Sequence, residues 1–575
     1  MFKKTTMAAA ITISTSVLLV ACGGSSGDNN GTVVGGGSST STLIGADATP
    51  SLPAAAFSAG LNTSANGQAL ISLAGTPKCD ISITHIRYNT IDAAGQPTTA
   101  SGALMVPTGS AAGCTGKLPV VLYAHGTTIS KNYDMSSLTT NLSLPASQQN
   151  AATVESTLVA ATFAAQGYIV IAPNYAGYDT SALSYHPYVN YAQQSHEMID
   201  ALKAGRAALP NVAAGSATSD SGKLFVTGYS EGGYVAMAAL KAMDAAKIPV
   251  TAGAPMSGPY SLGAYGDAIF YGNTPIGGTV FAPLLTTGYQ KAYGNIYNTP
   301  SDAYTAQYAT GIDKLLPTTQ SETDIFTNGL LPLSALFQSA PTGSAQLDAL
   351  SPADPKFSFG FASSNYLINT SYRASYLADA AAHPDGAVPT VTASPLPTTT
   401  ATNGLRKAFA LNDLRGYIPS MPVLMCGGNQ DPTVFFAPNA QLMAGIIGNV
   451  AASGAPVAFA LLDVDATDAG KVGFSSAGLS ATVKATMTAA STQLMGGFGT
   501  GLQTTGATAA IGTPDGYAAY VAKLTAGGTQ AEAAAAAVAT PAGAAAAQTA
   551  VATNYHGTLV PPFCTIAART FFQQY

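Results

Sequence analysis

The sequence predicts an α/β fold, a doubly wound and mostly parallel sheet, and three observations carry that prediction. Apolar runs without polar alternation recur at LPVVLYAHG from Leu118, YIVIAPN from Tyr168 to Asn174 and LFVTG from Leu224. Runs of this kind suit strands buried on both faces. Stretches of helical character, Ala151 to Gln166 and Val189 to Leu209, separate them, and alternation of strand and helix is how both sides of a parallel sheet become covered.

Taken in order, the chain starts with Lys3 and Lys4 before an apolar run from Met7 to Ala21. That run is too short to span a membrane and reads as an export signal over residues 1–21. It ends in Leu19-Val20-Ala21-Cys22, which resembles the lipobox of bacterial lipoproteins. The resemblance implies lipidation of Cys22, anchorage to a membrane and, with Gly23 next, an outer-membrane location; an ordinary secretory peptide, giving a periplasmic or secreted protein, is the alternative. Residues 22–50, rich in Gly, Ser, Thr and Asn, are expected to be a flexible tether.

Residues 51–258 are read as the first part of the core. Two strand-like runs, Ile81 to Thr90 and Ala100 to Val106, form a hairpin; the α/β rhythm follows and closes with a strand around Pro249 to Met256. Residues 259–417 lose the rhythm and become rich in Tyr, Leu, Pro and Thr, as expected of an inserted cap, with helix-like pieces such as LLPLSALFQSA from Leu330. The core resumes over 418–464 with PVLMCGG, a helix near Asn439 to Val450 and a strand APVAFALLDV. Residues 465–553 form an Ala/Gly/Thr-rich insertion, a helical hairpin or a loosely ordered stretch, before a loop and C-terminal helix over 554–575.

Composition narrows the function. Charged residues make up 9% and the net charge is −6, with no lysine or arginine cluster, so nothing attracts a nucleic acid. The histidines lack ligand spacing, and no metal or other cofactor is implied. Of five cysteines, Cys22 belongs to the export segment. The remaining four allow three disulfide connectivities, and an exported protein favours pairing. Cys79 and Cys114 bracket the predicted hairpin and are expected to pair, which leaves Cys426 with Cys564; four free buried thiols are the alternative.

The stretch KLFVTGYSEGGYVAMAALKAM, from Lys223, carries the chemistry. A strand feeds a turn in which Gly228, Gly232 and Gly233 flank Ser230, and a helix follows, the form of a nucleophile elbow. A serine hydroxyl needs a base within hydrogen-bond reach, and that base needs an orienting carboxylate. Six histidines exist, at 85, 125, 186, 196, 383 and 556, and in the chain order serine, acid, histidine only His556, in NYHGTLVPPF, follows every plausible acid. Asp431 in GGNQDPTV, just past a sheet strand, is the expected acid, with Asp463 at the end of the next strand as the alternative. In YAHGTT, backbone N–H groups near Thr127, together with that of Glu231, are expected to form an oxyanion hole. The Glu231 side chain is expected to cap the helix N-terminus, the alternative being electrostatic tuning of the site.

These motifs, AHGTT, APNYAGYD with HPY at His186 to Tyr188, GYSEGG, DPTV and a late His-Gly, resemble those of α/β-hydrolase fold serine esterases, and among them the bacterial secretory lipase-like enzymes. The resemblance runs from about Leu118 to the C-terminus. It implies an α/β-hydrolase fold and a carboxylic ester hydrolase with Ser230 as nucleophile, His556 as base and Asp431 as acid. It also implies that the HPY segment supports the pocket. The apolar, Tyr-rich composition of the expected cap points to a hydrophobic acyl or aromatic ester, small or polymeric, such as a lipid or a polyester. The long spacing between Asp431 and His556 and the glutamate after the serine depart from the family pattern. A peptidase or acyltransferase on the same fold and a non-catalytic, surface-binding lipoprotein are the rival readings.

Overall fold

The computed structural model describes residues 42–138, 150–213, 217–352, 354–385, 396–465 and 470–575. The expected export signal, Cys22 and most of the expected tether lie outside these residues. No helix among the described residues is long and apolar enough to cross a membrane.

Strands β1 (Leu43–Ala48), β2 (Asp80–Ile91), β3 (Pro97–Thr108), β4 (Lys117–Ala124), β5 (Ile169–Pro173), β6 (Ser219–Tyr229) and β7 (Ala252–Met256) precede a two-residue pair, β8 (Phe337–Gln338) and β9 (Phe361–Ala362). Strands β10 (Val423–Gly427), β11 (Phe459–Asp463) and β12 (Phe474–Ala477) follow. All but β8 and β9 join one ten-stranded sheet in the order β1-β2-β3-β5-β4-β6-β7-β10-β11-β12. The run from β5 to β11 is parallel, and antiparallel strands flank it on both sides. Strands β5, β7, β10 and β11 are buried along their whole length, as unalternated apolar runs require. Register aligns their C-terminal ends: Ala124 pairs with Gly228, Tyr229 with Met256, Met256 with Cys426 and Gly427 with Asp463. The loops leaving that edge therefore converge, and such an edge is where open α/β sheets bind ligands.

Both expected disulfides form. Cys79–Cys114 closes the outer end of the β2–β3 hairpin, and Cys426–Cys564 fastens β10 to the helix Val560–Phe572. Two expectations need correction. The tether does not reach residue 50, because Leu43–Ala48 pairs antiparallel with β2 and closes the sheet edge. The stretch from Leu330 is not helical; Pro332 interrupts it, Pro341 follows its last residue, and it contributes only strand β8.

The described residues of 259–417 alternate helices, the longest Gly278–Tyr293 and Thr370–Ala382, with irregular stretches, and this charge-poor chain uses its charges to tie them together. Buried Arg406 bridges Asp267 at 2.9 Å and Asp379 at 2.8 Å, and buried Arg415 bridges Asp385 at 2.5 Å and Asp413 at 2.8 Å. Paired and hydrogen-bonded guanidinium groups of this kind are tolerated where a lone buried charge is not.

Among the described residues, the Ala/Gly/Thr-rich insertion supplies strand β12 and then four helices, Ala481–Ile511, Pro514–Thr525, Gln530–Val538 and Pro541–Asn554. Alanine favours the helix intrinsically. Threonines at 513, 529 and 540 cap three of the four starts by accepting main-chain N–H groups. Small residues let the long helices approach closely, since a Cβ placed on Gly506 would lie 3.4 Å from that of Ala547. Phe498 on the first of them packs edge-on against Tyr555 and Phe563, at 5.4 and 5.7 Å between ring centroids, so the insertion buttresses the segment that carries His556.

Candidate active site

Strand β6 ends at Tyr229 and the helix Glu231–Ala245 begins at once, leaving Ser230 alone in the turn with φ 74° and ψ −126°. A non-glycine residue rarely adopts a positive φ and holds it only when its surroundings enforce it. Two of the flanking glycines explain the enforcement. A Cβ on Gly232 would meet the carbonyl oxygen of Ala124 at 1.9 Å, and one on Gly228 would meet that of Gly232 at 2.3 Å. Strand, turn and helix thus pack backbone to backbone, while the Ser230 N–H donates to Met256 O at 2.8 Å on the neighbouring strand.

His556 meets this serine from the far end of the chain. Its Nε2 lies 2.7 Å from Ser230 Oγ, and its Nδ1 lies 2.5 Å from Asp431 Oδ2. The other oxygen of Asp431 accepts the N–H groups of Thr433 at 2.9 Å and Val434 at 3.0 Å, which fixes the carboxylate. All three side chains are buried. His556 does not sit in a polar turn as its sequence suggested; it lies, buried with Tyr555 and Leu559, in a π-helical turn, Tyr555–Leu559, between the helices Pro541–Asn554 and Val560–Phe572. Such widened turns often mark functional positions.

Asp463, the alternative acid, does not face the histidine. It accepts from the N–H groups of Asn429, Asp465 and Val472 and so braces the loop that carries Asp431, while burial pushes its carboxyl up from the ordinary value. His125 is a core residue: its ring stacks on Tyr175 at 4.0 Å, both nitrogens face main-chain carbonyls, and burial lowers its pKa. The loop after it nevertheless reaches the serine, since a Cβ on Gly126 would lie 3.7 Å from Ser230 Oγ. Glu155 takes the Gly126 N–H at 3.0 Å, and Thr127 Oγ1 pairs with the Tyr188 hydroxyl at 2.8 Å, so both residues of the loop are pinned.

Glu231 corrects another expectation, for its carboxylate caps no helix. It points into the protein, where Oε1 meets His186 Nε2 and Gln194 Nε2, each at 2.6 Å. Its partners stand 45 and 37 positions away in sequence, beyond the reach of local pattern reading. Tyr229, Glu155 and Tyr555 were also missed. The Tyr229 hydroxyl donates to the His556 carbonyl, and that of Tyr555 donates to Asp465 while accepting the Gln430 N–H. For Tyr229 the one available signal was its position inside the elbow.

Two seams join the region between Pro259 and Tyr417 to the loops beside this site. Residues 129–131 exchange main-chain bonds with Thr318, and the Ile276 N–H donates to Pro432 O at 3.0 Å beside a Tyr265 hydroxyl that donates to Thr433 O. Elsewhere, His85, Asp134 and Asp179 each bring a ligand-type atom within 4.8 Å of the others, with His85 and Asp179 in direct contact at 2.7 Å as an ion pair.

The rice cell wall degrading esterase LipA from Xanthomonas oryzae, in a ligand-bound form, superposes with a TM-score of 0.56 at 25% identity over 75% of this chain and 92% of its own. The chain has the α/β-hydrolase fold. A protein from Legionella pneumophila solved as a candidate hydrolase shares that fold, with a TM-score of 0.50 at 18% identity over 71% of this chain and 88% of its own. The prolyl oligopeptidase family model matches residues 155–255 of this chain, from the helix before β5 through the elbow to β7. No curated protein matches the chain. Hydrolase chemistry is common to the LipA likeness and the family match.

Proposed function

We propose that the protein is an exported serine hydrolase that cleaves carboxylic esters of hydrophobic substrates through an acyl-enzyme on Ser230. One observation carries this reading: a single imidazole, His556, lies 2.7 Å from Ser230 Oγ through Nε2 and 2.5 Å from Asp431 through Nδ1. As Oγ bonds to the ester carbonyl carbon, its proton passes to Nε2 and the carbonyl electron pair moves onto oxygen. Backbone N–H groups of Glu231 and Thr127 donate to that oxyanion. The imidazolium returns the proton to the departing alcohol as the C–O bond breaks, and water then releases the acid by the same route. Asp431 keeps the Nδ1–H oriented throughout.

The description of LipA as a cell wall degrading esterase supports an ester substrate. The Tyr- and Leu-rich region above the site supports a hydrophobic acyl or aromatic group, in a lipid or a polyester. The N-terminal apolar run and the two disulfides support export, with Cys22 as the lipid anchor to an outer membrane. A fluorophosphonate probe is expected to label the protein and not Ser230→Ala, and labelled palmitate is expected to enter through Cys22. Absence of labelling of the folded protein would return the reading to a surface-binding lipoprotein.

A second reading, amide hydrolysis, is favoured by the prolyl oligopeptidase match. Turnover of p-nitrophenyl esters of increasing chain length against aminoacyl p-nitroanilides separates the two. Higher kcat/KM on the anilides would move the assignment to a peptidase, and transfer of the acyl group to an added alcohol would move it to an acyltransferase.

A further inference from the structure

Glu231 is an expensive residue to place directly after a nucleophile. It is fully buried, one oxygen receives both available donors, and Oε2 has no hydrogen-bond partner. An uncharged side chain would fill the space without the desolvation cost of a carboxylate. Its partner is held just as firmly. His186 Nδ1 donates to Ala176 O at 2.9 Å, and the ring lies between Tyr175 and Tyr178 at centroid distances of 5.5 and 4.8 Å, which turns Nε2 onto Glu231. A carbonyl only accepts, so the contact with Ala176 needs a proton on Nδ1, and a hydrogen bond between Nε2 and Oε1 at 2.6 Å needs one more, shared by the two groups; on that count the pair has no net charge.

We propose that His186 and Gln194 are positioning residues for the oxyanion hole: they hold Glu231 as a neutral pair behind the elbow, so that its N–H meets the reacting oxygen with no bare carboxylate beside it. The inference rests on the ester hydrolase reading above. Negative charge develops on the substrate oxygen in the transition state and not in the bound ester. Exposing a carboxylate next to it therefore lowers kcat and leaves KM nearly unchanged.

The test uses His186→Gln, which removes the proton carrier but keeps an amide, and the double variant His186→Gln with Glu231→Gln, which also removes the charge. On a soluble p-nitrophenyl ester at pH 8, His186→Gln is expected to lower kcat by roughly 10- to 100-fold with KM within about threefold. Inhibition by a phenylboronic acid, whose tetrahedral adduct on serine mimics the oxyanion, is expected to weaken by a similar factor. The double variant is expected to regain at least about tenfold in kcat over His186→Gln, a rescue that pure structural support does not produce. An unchanged kcat in His186→Gln, or a double variant no better than the single, overturns the proposal. If His186→Gln does not fold, the double variant carries the test, and a loss of boronate affinity beyond about tenfold overturns it. Ser230→Ala, measured alongside, separates the two failures. Retained turnover there defeats the hydrolase reading itself, whereas an inactive Ser230→Ala with a fully active His186→Gln defeats only this inference.

Discussion

The hydroxyl of Tyr229 donates to the main-chain carbonyl of His556 at 2.6 Å, so the residue before the elbow serine grips the segment that supplies its imidazole. A buried neutral hydrogen bond is worth about 1 kcal/mol. Tyr229→Phe keeps the ring and removes that grip. The expected result is a fall in kcat of about fivefold with the fold intact by circular dichroism; an unchanged kcat would mean that the helices alone hold His556 in register.

Groups that act as a unit fail as a unit. Ser230→Ala and His556→Ala are each expected to lower kcat by a factor of about 10³ or more, and combining them to cost little beyond either alone. Steady-state kinetics on one ester, with thermal melts to verify folding, decide this. Near-normal turnover in His556→Ala would remove it as the base.

The two disulfides differ in what they secure. The Cys426–Cys564 pair closes a separation of 138 residues and ties the strand before Asp431 to the helix after His556, whereas Cys79–Cys114 closes 35 residues in a hairpin remote from the site. Chain-entropy estimates give about 5 and about 4 kcal/mol, so stability alone scarcely distinguishes them. Activity is expected to do so. Alanine at both 426 and 564 should reduce kcat at a temperature where the protein is still folded, and alanine at both 79 and 114 should leave it near the parent value.

His85 and Asp179 give stability a pH window. A hydrogen bond donated by His85 to the Asp179 carboxylate raises the His85 pKa above 6.5. Burial alone would raise the Asp179 carboxyl, but hydrogen bonds from His85 and Ser101 bring it down to about 2. The stabilisation is fully present below the unfolded histidine value of about 6.5 and above the unfolded aspartate value of about 4. It is lost as pH rises through the folded His85 value or falls toward about 2. His85→Gln is expected to flatten the melting temperature against pH above about 6, with a loss of about 1 kcal/mol or less for a partly exposed pair. A parallel shift of the whole profile would contradict this.

Which parts of the molecule could be read in advance follows from how local their causes are. The elbow was legible because its strain is written in adjacent residues, Gly228 and Gly232 beside Ser230. The strands were legible because burial on both faces leaves unbroken apolar runs. His556 was reachable because histidines are few and chain order removed the others. The setting of Glu231 was not reachable: a glutamate at the start of a helix has a sufficient local explanation, and nothing nearby announces His186. The stretch from Leu330 misled because apolar spacing imitates a helix even where a proline interrupts it, and the β1 strand went unseen because a sheet edge needs little hydrophobicity of its own.

The seams that join residues 129–131 to Thr318 and Ile276 to Pro432 bear on the reading as an ester hydrolase. Ser230 and His556 are each 2% exposed. On that reading an incoming ester has to displace neighbouring groups before it meets the hydroxyl, and bulk becomes a selector separate from the fit of the acyl group.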